Sequence, residues 1–600
     1  MRKKFYFVLM LLTSLLFHFS VYAEENLPTV AEAQQFINDV EKELLRLWIE
    51  ESRAAWIQNT YITHDTEEIS SQAAEATLRF VSEKVKEAQR FQPLQLSEEL
   101  SRKFTMLKMS LNMPAPSDAA KRKELTKLAL SLESRYAKGE YCPEKGKCLD
   151  LNALTKIMAE SRDDEELKNV WQGWSQIARP MKSEYARFVE LGNEGAHEFG
   201  FENLADLWYS RYDMPTKDFE KEVERLWSQV KPLYDDLHCF VRARLVDHYG
   251  AEKVSPTGLI PAHLLGNMWA QEWDNIYPLL MDQNEKKNGF DLTNILEKNK
   301  FEAKKMVEQA ESFFVSLGLQ KLPSTFWERS MLTKPQDRDV VCHASAWDVD
   351  TQDDVRIKMC MEVTGEDFVT VHHELGHLYY DLAYKKQSPL FMGGAHDGFH
   401  EGLGDTIALS MTPAYYKRIG LIEKEPPQDL SPLLHKALEK IAFLPFGFLV
   451  DQWRRDVFSG KVTLKDYNTH WWKLREKYQG ITPPVARMPE DFDPGAKYHI
   501  PGNTPYTRYF LAAILQFQFH RALCEKAGYK GPLHNCSIYR NKEAGKRLTK
   551  MMKMGMQQPW PDALEALTGK REMDATAIID YFAPLQTWLK EQNTGKQCGW

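Results

Sequence analysis

The stretch from residue 371 to residue 405 constrains this chain more than any other. It contains the pattern His-Glu-Leu-Gly-His at 373–377. Residues four apart lie on one face of a helix, so His373 and His377 present two imidazoles to one point, with Glu374 beside them. This H-E-x-x-H pattern is typical of zinc peptidases.

Two histidines make an incomplete site, because a catalytic zinc ion takes three protein ligands and leaves one position for water or substrate. Glu401 lies 24 positions after His377 and opens a second helical run, which makes it the natural third ligand. Asp405 follows one turn later on the same face, where its carboxylate can accept the free N–H of a ligand histidine and fix its tautomer. This downstream spacing disfavours the alternative, that the two histidines are ordinary core residues.

Length and composition indicate one large unit. The 600 residues are divided neither by a low-complexity linker nor by an internal repeat, and 43% hydrophobic residues with 16 tryptophans can build a large core. The net charge of -8, spread over this length, argues against nucleic acid as a partner.

The N-terminus has the pattern of an export signal. Three basic residues at 2–4 precede an apolar run from Phe5 to about Phe19, and small residues suited to cleavage end at Ala23. The run is too short for a membrane span. We therefore expect a signal peptide at 1–23, a single catalytic unit at 24–600 with no membrane span, and export to the periplasm or the medium.

Export permits disulfide bonds, and the chain has eight cysteines. Their spacing predicts three local bridges, namely Cys142 with Cys148, Cys342 with Cys360, and Cys524 with Cys536. Cys239 and Cys598 remain, and the sequence leaves open whether they pair, stay free or link two chains.

Helical periodicity dominates the chain. It predicts amphipathic helices within 28–132, 151–249, 292–317, 434–457 and 465–478. The clearest strands are at 340–347 and 355–360, a hairpin that leads into the zinc-binding helix and can pair with an extended peptide. A passage rich in proline and glycine at 479–506 is long enough to be functional.

Several longer motifs closely resemble the peptidyl-dipeptidase A family, the angiotensin-converting enzymes and their soluble relatives. The motifs are VCHASAWD at 341–348, HHELGH at 372–377, GFHE at 398–401, WWKLR at 471–475 and DFDPGAKYHIP at 491–501. The resemblance extends from about residue 30 to the C-terminus. It implies a mainly α protein, a helical ellipsoid of two lobes divided by a deep substrate groove, with a small antiparallel β element beside the zinc site. The N-terminal helices at about 28–132 would partly cover the entrance.

The resemblance also implies a zinc-dependent peptidyl-dipeptidase with one zinc ion per chain. The zinc would be held by His373, His377 and Glu401. Glu374 would act as general base on a zinc-bound water and later as general acid, and Asp405 would hold one ligand histidine.

Further positions match residues that handle the substrate in the family. His499 and Tyr509 resemble the donors to the tetrahedral oxyanion. His343 and the backbone of Ala344 resemble the positions that align the substrate on the hairpin strand.

Lys497, Tyr506 and Gln271 match the trio that binds the free C-terminal carboxylate of an oligopeptide. An anchor two residues beyond the zinc implies dipeptide release. A carboxypeptidase that removes single residues is the nearest alternative, but a relative of that kind carries arginine where Gln271 stands. An inactive peptide-binding homologue is the other alternative, and it is disfavoured because the zinc ligands and Glu374 are all present.

Chloride is expected as an activator. Tyr212 and Arg508 match one anion site of the family, close to the carboxylate anchor. The second site of the family needs an arginine where Ser175 stands, although Arg475 is retained with Trp471 and Trp472, and Arg179 could substitute. The sequence identifies neither the physiological peptide, nor the side-chain preference at the cleavage site, nor the oligomeric state.

Overall fold

The computed structural model describes residues 27–144, 146–281, 291–426 and 429–600. The predicted signal peptide at 1–23 lies outside these residues. Within them the protein is mainly helical, with 22 α-helices and three two-stranded pairs. The prediction of a mainly α fold is therefore confirmed.

Four helices form the N-terminal part, where the sequence predicts amphipathic helices at about 28–132. They are α1 (Val30–Thr60), α2 (His64–Ala88), α3 (Glu98–Met109) and α4 (Ala119–Ala137). Thr29 and Thr63 cap the first two helices, because each side-chain oxygen accepts a backbone N–H of the first turn.

The first three helices share a hydrophobic cluster of their own, separate from the main core. The ring of Phe36 lies 5.2 Å from that of Phe91 and 6.0 Å from that of Phe104. A buried ion pair of 2.9 Å joins Lys103 on α3 to Glu41 on α1. The first three N-terminal helices thus pack around a hydrophobic cluster that is separate from the main core.

The central part continues with helices that build the main core. These are α5 (Leu151–Glu160), α6 (Asp164–Gln176), α7 (Met181–Glu198), α8 (Leu204–Tyr209), α9 (Thr216–Tyr249), α10 (Tyr277–Leu280), α11 (Leu292–Lys298), α12 (Ala303–Leu317) and α13 (Ser324–Arg329). The segment at 261–271 runs between α9 and α10, and its His263 is 3% exposed.

The C-terminal part begins with the helices of the H-E-x-x-H motif and of Glu401. The helices are α14 (Gly365–Tyr384), α15 (Asp397–Leu409), α16 (Pro413–Arg418), α17 (Ser431–Phe458), α18 (Tyr467–Gln479), α19 (Thr507–Lys526), α20 (Lys542–Met552), α21 (Trp560–Thr568) and α22 (Thr576–Gln592). Helix α15 packs against both α14 and α19, so it lies between the motif helix and the helix that carries Tyr509.

The strands are short. An antiparallel pair, β1 (Glu140–Glu144) and β2 (Lys147–Asp150), precedes α5, and a two-residue parallel pair joins β3 (Ile260–Pro261) to β6 (Ile481–Thr482). The predicted hairpin is present as β4 (Ser345–Asp348) and β5 (Val355–Lys358). It is shorter than the sequence suggests, because the residues around Cys342 and Cys360 lie beyond the paired strands.

The N-terminal helices are attached to this hairpin. The indole of Trp56 on α1 meets that of Trp347 on β4 edge to face, with ring centroids 5.6 Å apart. The backbone N–H of Val341 donates to the carbonyl of Asn59 at 2.9 Å. The predicted cover therefore contacts the element that leads into the motif helix.

Eight cysteines form four disulfide bonds. The three predicted local bridges are present, and Cys239 pairs with Cys598, which resolves the alternatives left open by the sequence. This last bridge joins residues 359 positions apart, from α9 to the C-terminal segment. Across the described ranges, we find no helix whose length and apolarity would let it cross a bilayer.

Candidate active site

Helix α14 begins at a capped N-terminus and carries the two motif histidines on one face. The Thr364 side chain accepts the backbone N–H of Asp367. The opposite face is buried in the main core through residues such as Phe368 and Leu375, both fully buried. The core therefore fixes the rotation of the helix, and this rotation points His373 and His377 toward α15.

The two helices cross closely because glycines stand at the crossing. A Cβ on Gly376 would lie 3.0 Å from the Cα of Gly404, and a Cβ on Gly404 would lie 2.7 Å from Nδ1 of His373. A side chain at either position would push the helices apart. The glycines thus allow Glu401 and Asp405 on α15 to reach the motif histidines.

The three predicted zinc ligands converge. Nε2 of His377 lies 3.0 Å from Nε2 of His373, and Oε2 of Glu401 lies 3.6 Å from that same His373 atom. One ligand atom from each residue falls within 4.8 Å of the other two. Two other groups of possible ligands in the described residues contain cysteines that are bonded to each other as disulfides, so those groups offer no thiolate.

The carboxylate of Asp405 orients the first histidine. Its Oδ1 lies 3.2 Å from Nδ1 of His373, and its Oδ2 lies 3.8 Å from the ammonium of Lys440. Burial alone would raise the pKa of Asp405, but Lys440 and His373 hold it well below its usual range. Asp405 is therefore an anion that accepts Nδ1–H and leaves Nε2 of His373 free to bind.

The donor set fits a divalent cation. Burial alone would lower the pKa of His373, yet Asp405 and Glu401 raise it to about 10, so this pocket favours positive charge at His373. Two imidazole nitrogens and one carboxylate oxygen are the ligands that catalytic zinc sites use. The set leaves further coordination positions for water and substrate.

Glu374 lies beside this set without belonging to it. Its side chain is buried, and burial raises its pKa, as does the negative charge of Glu401. A carboxylate with a raised pKa next to a cation site can both take and return a proton.

The hairpin borders the site. His343 is exposed just before β4, and its backbone carbonyl accepts a hydrogen bond of 2.6 Å from Lys358. The buried ammonium of Lys358 also donates to the carbonyl of Val341 at 2.7 Å. Lys358 thus fixes the backbone that leads to Ala344, whose side chain is half-buried.

His499, Tyr506 and Tyr509 form an aromatic cluster at the start of α19. The ring of His499 lies 4.7 Å from that of Tyr506 and 5.6 Å from that of Tyr509, and the two tyrosine rings are 5.1 Å apart. Burial lowers the pKa of His499 to about 3 and raises the pKa of Tyr509. Both side chains are therefore neutral near pH 7 and carry a proton that they can donate.

The three residues predicted to anchor a carboxylate lie close together. The ammonium of Lys497 donates to Oε1 of Gln271 at 2.7 Å and lies 5.7 Å from the centre of the Tyr506 ring. The indole of Trp269 faces the same ammonium at 4.2 Å. Burial lowers the pKa of Lys497 to about 8, although Glu272 opposes the shift. A buried cation beside two neutral donors is suited to an incoming carboxylate.

Sequence reasoning missed the residues that hold this loop. Oδ2 of Asp451 on α17 accepts the backbone N–H groups of Tyr506 and Thr507 at 2.6 and 2.7 Å. Arg454, one turn later, pairs with Asp451 and donates to the carbonyl of His499 at 2.8 Å. Both charges are buried. The sequence did contain a signal for this pair, because two opposite charges stand three residues apart inside an apolar helix.

Sequence reasoning also missed a polar chain behind the second histidine. Nδ1 of His377 lies 3.3 Å from Nδ1 of His400, which precedes Glu401 on α15. Nε2 of His400 lies 3.2 Å from the hydroxyl of Tyr384, and that hydroxyl donates to Asp381 at 2.5 Å. The signal in the sequence was the spacing of four and seven residues from His377, which places Asp381 and Tyr384 on the same helix face.

The predicted anion site contains a carboxylate of the protein itself. Arg508 lies 3.2 Å from Oδ2 of Asp397, the first residue of α15. Tyr212 is buried beside them, and burial together with Asp397 raises the pKa of its phenol well above the usual value. The sequence pointed to Tyr212 and Arg508, but it gave no sign that Asp397 would approach them.

The second anion site lacks its second cation. Arg475 is buried among aromatic rings, 5.1 Å from the Trp472 ring centre, and burial lowers its pKa to about 9. Ser175 only donates back to the carbonyl of Trp171 in its own helix. Arg179 pairs with Asp491 at 2.7 Å, so its charge is already compensated.

Known proteins resemble this chain over almost its whole length. A family model described as Angiotensin-converting enzyme (Peptidase_M2) matches residues 27–600. The angiotensin-converting enzyme of Theromyzon tessulatum is 41% identical over 593 residues, which are 96% of each chain. The enzyme of that name from Haematobia irritans exigua is 40% identical over 575 residues, 93% of each chain.

Mammalian relatives are longer. The angiotensin-converting enzyme of Oryctolagus cuniculus is 42% identical over 583 residues, which are 95% of this chain but only 44% of the relative. The chain therefore spans less than half the length of the mammalian relatives that it matches.

Proposed function

Because this chain belongs to the angiotensin-converting enzyme family of peptidases, we propose that it is a zinc-dependent peptidyl-dipeptidase. Its substrates would be oligopeptides with a free C-terminus, from which it releases dipeptides. The convergence of His373, His377 and Glu401 beside the buried Glu374 is the observation that carries this proposal.

The three convergent residues would hold the zinc ion, with Asp405 fixing His373. When bound, zinc supplies Lewis-acid polarisation of the scissile carbonyl and lowers the pKa of a coordinated water toward about 7. Glu374 takes a proton from the attacking water and passes it to the leaving amine. The buried position of its carboxylate supports the role of base, because a raised pKa makes the carboxylate a stronger base toward the attacking water.

Two neutral donors serve the charge that develops on the carbonyl oxygen. The imidazole of His499 and the phenol of Tyr509 would donate to it, and such donors are commonly worth about 3 kcal/mol each. Arg454 and Asp451 support this role, because they fix the loop and the helix start that carry the two donors. His343 and the backbone of Ala344 would align the substrate beside β4.

Dipeptide release follows from the anchor. Lys497 would bind the C-terminal carboxylate, with Gln271 and Tyr506 as neutral partners. The pairing of Lys497 with Gln271 supports a subsite that is open for a second residue, since a cation at position 271 would fill it.

Chloride is proposed as a modulator at Arg508 and Tyr212. The ion pair with Asp397 supplies negative charge to the same guanidinium, so we expect an added anion to compete with a carboxylate and to stimulate weakly. We further propose that residues 1–23 direct export and that 24–600 act as one catalytic unit.

The test is mass spectrometry of the products from a defined decapeptide, with and without a zinc chelator. The proposal expects successive dipeptides from the C-terminus and no products after chelation. Single amino acids as first products would indicate a carboxypeptidase. Absence of any cleavage by zinc-loaded protein would indicate a peptide-binding homologue.

A further inference from the structure

The second ligand histidine is held by a chain of three hydrogen bonds that ends at a buried carboxylate. His377, Asp381 and Tyr384 lie on one face of α14, and His400 approaches them from α15. Asp381 is 9% exposed and Tyr384 is 8% exposed. Burying a carboxylate costs free energy unless it is paired with a charge or accepts hydrogen bonds. The position of Asp381 behind a ligand histidine therefore needs a physical explanation.

Counting protons gives the chain a direction. A neutral imidazole has one N–H, so His377 can offer the lone pair of Nε2 only if its proton is on Nδ1. That proton can be donated to Nδ1 of His400 at 3.3 Å, which places the proton of His400 on Nε2. Nε2 of His400 then donates to the hydroxyl oxygen of Tyr384 at 3.2 Å.

The last link sets the direction. The hydroxyl of Tyr384 donates to Oδ1 of Asp381 at 2.5 Å. If that carboxylate were absent, the hydroxyl could instead donate to Nε2 of His400. Donor and acceptor would then exchange in every hydrogen bond of the chain. The reversed chain puts the proton of His377 on Nε2, where it blocks metal binding. The direction survives protonation of Asp381 on its other oxygen, since Oδ1 still accepts.

We propose that Asp381 is a positioning residue that acts through Tyr384 and His400 to hold His377 in the tautomer that binds the cation. The inference rests on the zinc site of the proposed function. It gives the two histidines different supports: His373 has a direct carboxylate in Asp405, whereas His377 has a relayed one. Packing helps, because the ring of Tyr380 stacks on His400 with centroids 4.4 Å apart.

The experiment measures the zinc dissociation constant of the full-length apoprotein by competition with a chromophoric chelator. Tyr384→Phe and Asp381→Leu are each expected to weaken zinc binding about 10 to 100-fold, the usual effect of losing a group that orients a metal ligand. Asp381→Asn keeps an acceptor oxygen and is expected to retain most of the affinity. Tyr384→Phe combined with Asp381→Leu should weaken binding no further than the stronger single variant.

The matched control is Tyr380→Phe, which removes a hydroxyl from the same helix but keeps the ring that stacks on His400. Its zinc affinity should equal that of the wild type. Thermal unfolding of each apoprotein shows whether a variant folds, and Tyr384→Phe provides the informative comparison if Asp381→Leu does not.

Wild-type affinity in both Tyr384→Phe and Asp381→Leu would overturn the inference while leaving the zinc site intact. Equal losses in Tyr380→Phe and Tyr384→Phe would also overturn it, since removal of any buried hydroxyl from this helix would then have the same effect. A wild-type protein that binds no zinc would overturn this inference and the proposed function together.

Discussion

The ammonium of Lys497 and the side-chain oxygen of Gln271, 226 positions apart in sequence, are joined by a hydrogen bond of 2.7 Å. This pair places the positive charge of Lys497 beside the neutral amide of Gln271. The carboxylate of a substrate can replace the amide oxygen as the acceptor for the ammonium. Lys497→Ala should therefore raise KM about 10 to 100-fold, the range expected for a charge-assisted hydrogen bond, with zinc content unchanged. C-terminally amidated peptides should show the same loss with wild-type enzyme. Steady-state kinetics with the exposed-lysine control Lys465→Ala would test this. An equal KM for free and amidated peptides would contradict the anchor.

The same lysine predicts a pH dependence. Burial lowers the pKa of Lys497 from the usual 10.5 to about 8, so the charged form is lost as the pH rises through about 8. Because the free enzyme must carry this charge to bind a carboxylate, kcat/KM should fall above pH 8. An amidated peptide does not need the charge, and its kcat/KM should lack this fall. Parallel pH profiles of the two substrates would show that another group titrates.

Variants of Glu374 and variants of the zinc ligands should differ in their metal content. Glu374→Gln removes the base but no ligand, so zinc stays bound while kcat falls at least about 100-fold. His377→Ala and Glu401→Ala should lose zinc affinity because each removes one of three donors. Metal analysis after dialysis decides between these outcomes. Full zinc content in either ligand variant would refute its assignment.

Asp397 should limit the response to chloride. The carboxylate already compensates Arg508, so wild-type stimulation should be small and follow one saturable curve. Asp397→Asn should enlarge the stimulation, because the anion no longer competes with a carboxylate, and Arg508→Gln should abolish it. The measurement is a chloride titration with acetate as replacement at fixed ionic strength. Unchanged chloride response in Asp397→Asn would contradict the competition. A second phase that Arg475→Gln removes would reveal a second site.

Asp451 should matter for the stability of the fold. It accepts hydrogen bonds from Tyr506 and Thr507 and pairs with buried Arg454, so Asp451→Ala leaves an uncompensated buried cation. Loss of one partner of a buried pair costs about 3–5 kcal/mol in free energy of unfolding. Asp235→Ala breaks a partly exposed pair with Lys231 and should cost less than about 1 kcal/mol. Urea unfolding compares the two variants, and similar losses would show that the buried pair has no special weight.

Local patterns predicted much of the site. The spacing of His373 and His377 on one helix and the downstream Glu401 were readable because helical geometry relates near neighbours in sequence. The hairpin before the motif and three short disulfide loops were readable for the same reason.

Long-range partners were not readable in this way. Asp397 meets Arg508 only because α15 packs against α19, and Asp451 reaches Tyr506 only because α17 lies beside the loop. A buried charge becomes interpretable once its partner is known, and nothing in the local sequence names that partner. The pairing of Cys239 with Cys598 was undecided for the same reason.

The bond between Cys239 and Cys598 also sets an order of events in biogenesis. During synthesis from the N-terminus, Cys239 emerges long before Cys598, whereas the two cysteines of each short loop are at most 18 positions apart and emerge in close succession. In the chain-entropy model, a closed loop of 359 residues restricts the unfolded chain by about 6 kcal/mol, the largest share among the four bridges. Disulfide formation and reshuffling take seconds to hours. Correct closure of this last loop is therefore the step at which an oxidase or isomerase would govern the yield of native protein.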